Sequence, residues 1–235
     1  LCSEKNFNIY FKYLLTFIAI IPACLLLMMQ PDIGQTLLIF LAWAILVFIS
    51  GISLPVILTF FSFSLLSLVY MVFFIQKFAY IKNRILSFFN PNDGTHNFQS
   101  DKAIDAISSG GYFGKGIGEG TLKNRVPEAH TDYIISVIAE EFGVVVIMLL
   151  LILFLFFIYT VFQKIYLEKS EKIKLVLTGT MCLIIFQALI HIGVNIRLFP
   201  TTGMTLPFLS YGGSSIVGVS ILSGIILNLT KRKVD

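Results

Sequence analysis

Charged residues are scarce in this chain. Asp, Glu, Lys and Arg make up 13% of its 235 residues, whereas 57% are hydrophobic and the mean hydropathy is +0.89. These values exclude a water-soluble globular domain. The apolar stretches also lack the alternation of a membrane β-barrel, so their backbone groups must be paired within helices. The sequence therefore predicts an all-α, polytopic membrane helical bundle.

Cysteine is also scarce. The chain contains Cys2, Cys24 and Cys182, an odd number without the spacing of a metal site. The latter two lie inside apolar stretches, where cysteine serves as a small packing residue. We therefore expect neither a disulfide framework nor a cysteine-bound metal.

Nucleotide-binding motifs are absent. Glycines recur at positions 110, 111, 114, 116, 118 and 120, but the pattern fits neither a dinucleotide motif nor a P-loop, because Gly114 and Lys115 are followed by Gly116. Closely spaced glycines permit positive φ and allow backbone N–H groups to approach a partner. A flexible turn is the alternative interpretation.

Six apolar stretches are long enough to cross a membrane, at 10–29, 33–49, 54–75, 144–162, 173–192 and 206–229. They predict three transmembrane helices in 1–75, a large extracytoplasmic loop containing short helices in 76–131, and three transmembrane helices with a basic cytoplasmic tail in 132–235. The chain begins with Leu1, and no cleavable signal precedes the first stretch. We expect that an upstream portion is missing.

The distribution of basic residues predicts the orientation. The two tails and the segment around 163–174 fall on one side and hold nine of the 17 Lys and Arg residues. Short basic segments stay in the cytoplasm, whereas long loops cross with less regard to charge. We therefore expect loop 76–131 to lie outside the cytoplasm.

Three local patterns bear on function. Residues 77–89, with Lys82 and Arg84, predict an interfacial amphipathic helix or a simple basic flank. Asp32 precedes an apolar stretch, with Gln35 three residues later, which favours a helix cap over a binding role. Gln187, His191 and Asn195 recur every four residues, so they should face the bundle interior. Hydrogen bonding between helices is favoured there over substrate contact.

The segment 206–215 is unusually polar and rich in glycine for a membrane span. Its sequence is Leu-Pro-Phe-Leu-Ser-Tyr-Gly-Gly-Ser-Ser. Small residues allow either close helix packing or a broken helix that lines a cavity.

Four segments together resemble the SEDS (shape, elongation, division and sporulation) family of peptidoglycan polymerases. They are Gln-Pro-Asp-Ile-Gly at 30–34, Ser-Gly-Gly-Tyr-Phe-Gly-Lys-Gly at 109–116, Pro-Glu-Ala-His-Thr-Asp-Tyr at 127–133 with Ala-Glu-Glu-Phe-Gly at 139–143, and Pro-Thr-Thr-Gly at 200–203 with the segment 206–215. Family members have ten spans, so the resemblance implies that the first four are missing here. The pattern is closest to the division members of the family.

The resemblance implies a reaction, a place and partners. The reaction is the polymerisation of lipid II into glycan strands at the outer face of the bacterial inner membrane, by a multi-pass protein. The family's essential aspartate falls on Asp132, which would act as general base toward the acceptor sugar hydroxyl. The implied partners are a class B penicillin-binding transpeptidase and other divisome membrane proteins, with no nucleic acid.

The remaining site predictions concern substrate binding. The pyrophosphate leaving group needs nearby positive charge, and the candidates are Lys115, Lys123, Arg125 and Arg197. Thr202 stands where the family often has lysine, a loss that Arg197 or Lys102 could compensate. Further candidates for substrate contact are Glu128, His130, Gln99, Ser210 and Ser214.

A dedicated metal site at Glu128, His130 and Asp132 is not expected, because side chains two and four residues apart do not converge. No cofactor is required by the pattern, although a loosely held Mg²⁺ or Mn²⁺ near the pyrophosphate stays open. Two other functions also stay open. One is a flippase or transporter of the lipid-linked precursor, and the other is a scaffold for the transpeptidase. The scarcity of charge within the spans favours the enzyme over the transporter.

Overall fold

The computed structural model describes residues 9–30, 32–89 and 96–231, and all regular structure in these ranges is helical. This confirms the predicted all-α class. Lys5, Cys2 and the last four residues lie outside the described ranges. The helices are α1 Ile9–Met29, α2 Ile33–Ile49, α3 Leu54–Phe74, α4 Ala79–Phe89, α5 His96–Gly110, α6 Ile134–Leu167, α7 Glu171–Asn195 and α8 Gly213–Thr230, with 3-10 turns at Gln76–Phe78 and Leu122–Arg125.

Five helices in the described ranges are long and apolar enough to span a membrane, namely α1, α3, α6, α7 and α8. The sixth predicted span, α2, is apolar but has only 17 residues, or about 25 Å at 1.5 Å per residue. Two predicted bounds need correction. The fourth span belongs to a helix that already begins at Ile134, and the last span begins at Gly213 rather than at 206.

Helix α7 forms the centre of the bundle and contacts α2, α6 and α8. Leu177, Ile184 and His191 on α7 are almost completely buried. Gly179 lets Leu46 of α2 approach the α7 backbone, and its added Cβ would lie 3.2 Å from that side chain. Close packing around small residues is how membrane helices associate without a hydrophobic driving force.

Helix α6 is sharply kinked at Gly143, where φ is 79°. The loop between α5 and α6 hydrogen-bonds to both sides of this kink: Lys115 N donates to Glu140 O (2.9 Å), and Val144 N donates to Gly111 O (3.0 Å). The loop thus satisfies backbone groups that the kink releases from the helix. The glycine-rich segment 110–120 is therefore fixed against α6, and we refer to it as the strap. The flexible-turn interpretation is wrong.

Helix α4 confirms that the basic segment after α3 is helical. Ile81 on one side is buried, whereas Phe89 at the end is exposed. The helix contacts α3 and α5. It carries Arg84 toward the segment between α7 and α8, because Arg84 Nη1 donates to Thr201 O at 3.3 Å.

Helices α1, α2 and α3 pack around Trp43 of α2, which is buried with Tyr13 of α1. Cys24 and Cys182 are both free thiols, as the sequence predicts for these two described cysteines. They lie in membrane-spanning helices and make no disulfide.

Candidate functional site

Asp132 lies in a tight turn immediately before α6. Its N–H donates to Glu128 O at 3.0 Å, and the Thr131 hydroxyl donates to Glu128 Oε2 at 3.0 Å. Glu128 has a positive φ of 55°, a strained conformation that is common at functional sites. The buried side chains of Ala129 and Tyr133 fix the two ends of the turn. The turn holds the two carboxylates on neighbouring positions without a regular helix.

Three successive carbonyl groups of this turn are held by other parts of the chain. Tyr211 N donates to His130 O (3.0 Å), and Ser210 Oγ donates to Thr131 O (2.7 Å). Asn195 Nδ2 at the end of α7 donates to Asp132 O (3.0 Å). Catalytic groups must be held within a fraction of an ångström to act efficiently. These bonds give Asp132 such a fixed backbone.

The polar stripe on α7 faces the bundle interior, as the sequence predicts. His191 Nδ1 lies 2.7 Å from Met204 O, and Gln187 Nε2 donates to Thr205 O at 2.9 Å. Gln187 also bonds Ser215 of α8. The favoured interpretation, bonding between helices, is therefore only partly right, because Met204 and Thr205 belong to the segment that connects α7 to α8 rather than to a helix. The stripe shapes this segment around the site.

The segment that connects α7 to α8 is irregular and lies beside Asp132. Gly203 has φ of 74°, and a Cβ at this position would lie 3.5 Å from Asp132 Oδ2. Gly34 at the start of α2 faces the same segment, since an added Cβ would overlap with Met204. The broken-helix alternative for this region is thus the one that forms. Three of the four motif segments meet at Asp132.

The carboxyl group of Asp132 is half-buried. Burial raises its pKa and the negative charge of Glu128 raises it further, whereas a hydrogen bond from Thr131 and the positive charge of Arg84 lower it in part. A carboxylate with a raised pKa holds a proton more strongly once it has taken one. A raised pKa favours a role for Asp132 as a general base.

Arg84 is a site residue that the sequence analysis did not select. It hydrogen-bonds Thr201 O, and its guanidinium carbon lies 5.9 Å from the Tyr80 ring centroid. Its charge lowers the pKa of Asp132 and of Asp32. The available signal was its place on the amphipathic segment, which pointed to the membrane interface rather than to the site.

Asp32 has two roles. Its Oδ1 accepts the Gln35 N–H at 2.9 Å, which confirms the predicted cap of α2. Burial raises the pKa of Asp32, and the Gln35 hydrogen bond and the charge of Arg84 partly offset this rise. The negative charge of Asp32 in turn raises the pKa of Asp132. Asp32 therefore belongs to the electrostatic environment of Asp132.

Three of the four predicted cations form ion pairs with carboxylates of this chain. Lys115 Nζ lies 3.2 Å from Glu140 Oε1, Lys123 pairs with Glu141, and Arg197 pairs with Asp101. Arg125 is exposed in the 3-10 turn before the site. Lys102, proposed to compensate for Thr202, pairs with Asp105. Within the described ranges, Arg84 is the cation whose charge acts on Asp132.

The other residues predicted to contact substrate lie on different elements of the fold. His130 is exposed in the turn, Gln99 is half-buried on α5, and Ser214 is exposed in the first turn of α8. Ser210 is buried, and its Oγ accepts the Leu206 N–H at 2.8 Å while donating to Thr131 O. Ser210 thus shapes the turn rather than presenting a free hydroxyl. Among the described residues, no group of three or more His, Cys, Asp or Glu side chains is placed to hold a metal ion.

Fold and site together define a polytopic membrane protein with an ionisable site where the segment between α3 and α6 meets the helix bundle. Residues 3–234 match the sequence profile of the FtsW, RodA and SpoVE family, described as cell cycle protein. The chain belongs to this family, the SEDS family of the sequence analysis.

The chain is similar to several curated relatives named probable peptidoglycan glycosyltransferase FtsW. Identity is 37% to the Caulobacter vibrioides protein, covering 94% of this chain and 55% of the relative. It is 36% to the Buchnera aphidicola protein, covering 97% and 61%. The chain thus spans between about half and three fifths of these relatives' length.

Two solved structures share the fold. A chain from a peptidoglycan synthase complex that coordinates polymerization and crosslinking has a TM-score of 0.74 and 27% identity, covering 95% of this chain and 63% of that one. An alanine variant of an aspartate in Thermus thermophilus RodA, a rod shape determining protein, has a TM-score of 0.62 and 26% identity, covering 97% and 58%.

Proposed function

We propose that this chain forms the catalytic part of an FtsW-type peptidoglycan glycosyltransferase, which polymerises lipid II into glycan strands during septal wall synthesis. The observation that carries the proposal is Asp132, a half-buried carboxylate with a raised pKa on a backbone that Asn195 and Ser210 hold in place. The named functions of the FtsW relatives support it.

Asp132 would accept the proton of the acceptor sugar hydroxyl as its oxygen attacks the donor's anomeric carbon. A new C–O bond forms there, the bond from that carbon to the pyrophosphate oxygen breaks, and undecaprenyl pyrophosphate leaves with the electron pair. Attack opposite to the leaving group inverts the anomeric centre. A lipid-linked substrate with a sugar head must react where bilayer meets water, which fits a base placed at the start of a spanning helix.

Arg84 would stabilise the charge that develops on the pyrophosphate, because fixed cations in a site of low dielectric stabilise such charge strongly. Glu128 would keep the pKa of Asp132 raised and orient the acceptor hydroxyl. The described side chains do not fit a dedicated metal site, so no step is assigned to Mg²⁺ or Mn²⁺. Among the sequence-predicted cations, Arg125 would contact substrate from the exposed side of the turn.

The protein would lie in the bacterial inner membrane with the segment between α3 and α6 on the outer side, as its diluted basic residues favour. A class B penicillin-binding transpeptidase is the proposed partner, supported by the similarity to the synthase complex. Other divisome membrane proteins are further candidates. A transporter or a scaffold is distinguished from the enzyme by the following experiment.

Asp132→Asn and Asp132→Ala in the full-length protein should lower polymerisation of purified lipid II by about 10²–10⁴-fold, because a positioned general base contributes that much. The matched control is Asp105→Asn, an exposed aspartate on α5 paired with Lys102. Undiminished strand synthesis by the Asp132 variants contradicts the proposal. Passage of labelled lipid II across proteoliposomes without polymerisation would favour the transporter.

A further inference from the structure

The tip of the glycine-rich strap carries three exposed apolar side chains that the proposed reaction does not use. Tyr112 is 77% exposed, Phe113 85% and Ile117 78%. Large apolar side chains gathered on one exposed feature mark a surface that contacts another apolar phase or partner. The question is which partner faces this tip.

The backbone of the strap fixes its height relative to α6. Val144 N donates to Gly111 O at 3.0 Å, and Val145 N donates to Tyr112 O at 3.3 Å. On the other side of the kink, Gly116 N donates to Glu141 O at 3.0 Å. The tip therefore lies level with residues 140–145, where the charged Glu140 and Glu141 give way to the apolar stretch that begins at Val144.

Glycines make this close approach possible. A Cβ at Gly114 would overlap with Glu141 O, and a Cβ at Gly143 would overlap with Tyr112 O. Gly114 also has φ of 77°, which other residues adopt only with strain. The tip is therefore held rigidly against α6 instead of moving freely in solvent.

The two lysines beside the tip are paired with carboxylates, whereas Glu119 is exposed. Lys115 bonds Glu140, which is fully buried and also accepts the N–H groups of Leu122 and Lys123. Lys123 pairs with Glu141. Pairing lowers the cost of bringing this part of the loop next to an apolar phase.

The tip continues an apolar surface on α6. Val145, Met148 and Leu149 follow the kink and are all exposed on a membrane-spanning helix. Apolar side chains that are exposed on a membrane-spanning helix are suited to contact lipid. Since the tip is bonded to the first of these residues, the lipid bilayer is its most direct neighbour.

We propose that Tyr112, Phe113 and Ile117 form an interfacial anchor, which inserts into the boundary between lipid headgroups and acyl chains beside the kink of α6. Aromatic side chains favour this zone, and short apolar elements bind there by burying their surface. The anchor fixes the height of the strap, and hence of the turn that leads to Asp132, relative to the headgroups. It does not depend on the proposed glycosyltransferase activity.

Spin labels test the anchor directly. The full-length protein, with its native cysteines replaced, is labelled at Phe113→Cys and reconstituted into vesicles of phosphatidylethanolamine and phosphatidylglycerol. Collision of the label with oxygen, which dissolves in lipid, is compared with collision with a water-soluble nickel complex. The matched controls are Asp105→Cys on the polar side of α5 and Leu149→Cys on the lipid-facing side of α6. Ile117→Cys provides a second position if the first substitution loosens the tip.

We expect the ratio of oxygen to nickel collisions at 113 and 117 to lie severalfold above the ratio at 105 and below that at 149. Adding Gly114→Ala, which displaces the strap, should lower the ratio at 113 toward the value at 105. A ratio at 113 and 117 equal to that at 105 overturns the anchor. Protection of both labels that requires an added class B transpeptidase also overturns it, because the tip would then be a protein-docking surface.

Discussion

The carboxyl group of Asp132 lies among groups that shift its pKa in opposite directions. Burial and Glu128 raise the pKa, whereas Arg84 lowers it. An aspartate in water would be fully ionised at neutral pH and a weak base. The neighbours of Asp132, and not its residue type alone, set its capacity to accept a proton.

Substitution of these neighbours should shift the pH dependence of polymerisation in opposite directions. Only ionised Asp132 accepts a proton, so the rate falls as the pH drops through its pKa. Glu128→Gln removes a negative charge, lowers this pKa and moves the acidic limb to lower pH. Arg84→Ala removes a positive charge, raises the pKa and moves the limb to higher pH. Profiles of kcat/KM against pH with purified lipid II measure both shifts.

The two variants should also differ in rate at the pH optimum. Arg84→Ala should lose on the order of 10²–10³-fold in kcat/KM, as expected for a group that stabilises transition-state charge. Lys169→Ala is the comparison, since Lys169 is exposed between α6 and α7 and is not among the groups that shift the pKa of Asp132. Shifts of the same sign for Glu128→Gln and Arg84→Ala would contradict the electrostatic account.

At the level of the elements, the kink of α6 and the strap depend on each other. The kink releases backbone groups that the strap satisfies, and the strap is held by Glu140, whose carboxylate accepts the N–H groups of Thr121, Leu122 and Lys123. A buried carboxylate is stable when several donors surround it. This explains why an acidic pair persists at the start of a membrane-spanning helix.

Gly143→Ala should destabilise the protein. The backbone at this position, with φ of 79° and ψ of −179°, is essentially restricted to glycine and costs a residue with a Cβ about 1–3 kcal/mol, and overlap with the strap adds about 1–3 kcal/mol. The matched control is Gly224→Ala in α8, where an added Cβ meets nothing within 4 Å. Thermal unfolding in detergent should show that Gly143→Ala lowers the Tm of the protein, whereas Gly224→Ala does not. Equal Tm values for both variants would show that the kink is not fixed by the strap.

At the level of the whole molecule, the proposed orientation places the site on the outer face of the membrane. Glu119 in the strap and Lys169 between α6 and α7 are both exposed and lie at opposite ends of the first long span after the loop. Chemical labelling at these two positions therefore distinguishes the two sides of the membrane.

In a cysteine-free background, Glu119→Cys should react with a membrane-impermeant maleimide on intact spheroplasts, because the strap faces outward. Lys169→Cys should react only after the membrane is permeabilised. The opposite pattern would place Asp132 on the cytoplasmic side and remove the basis for polymerisation at the outer face. The labelled fraction is measured by mass spectrometry of the purified protein, so differences in expression between the variants do not affect the result.

The sequence by itself determined the helical class, the apolar helices, the cap at Asp32, the inward stripe on α7 and the choice of Asp132. The first four features follow from composition and periodicity within short stretches of chain, and the choice of Asp132 follows from the resemblance to the SEDS family. Tertiary structure alone decided which cations act at the site. Lys115, Lys123 and Arg197 are paired with carboxylates between 18 and 96 residues away in sequence, and Arg84 reaches Thr201 across 117 residues. Such long-range pairings leave no local pattern, because they arise only when distant helices pack together.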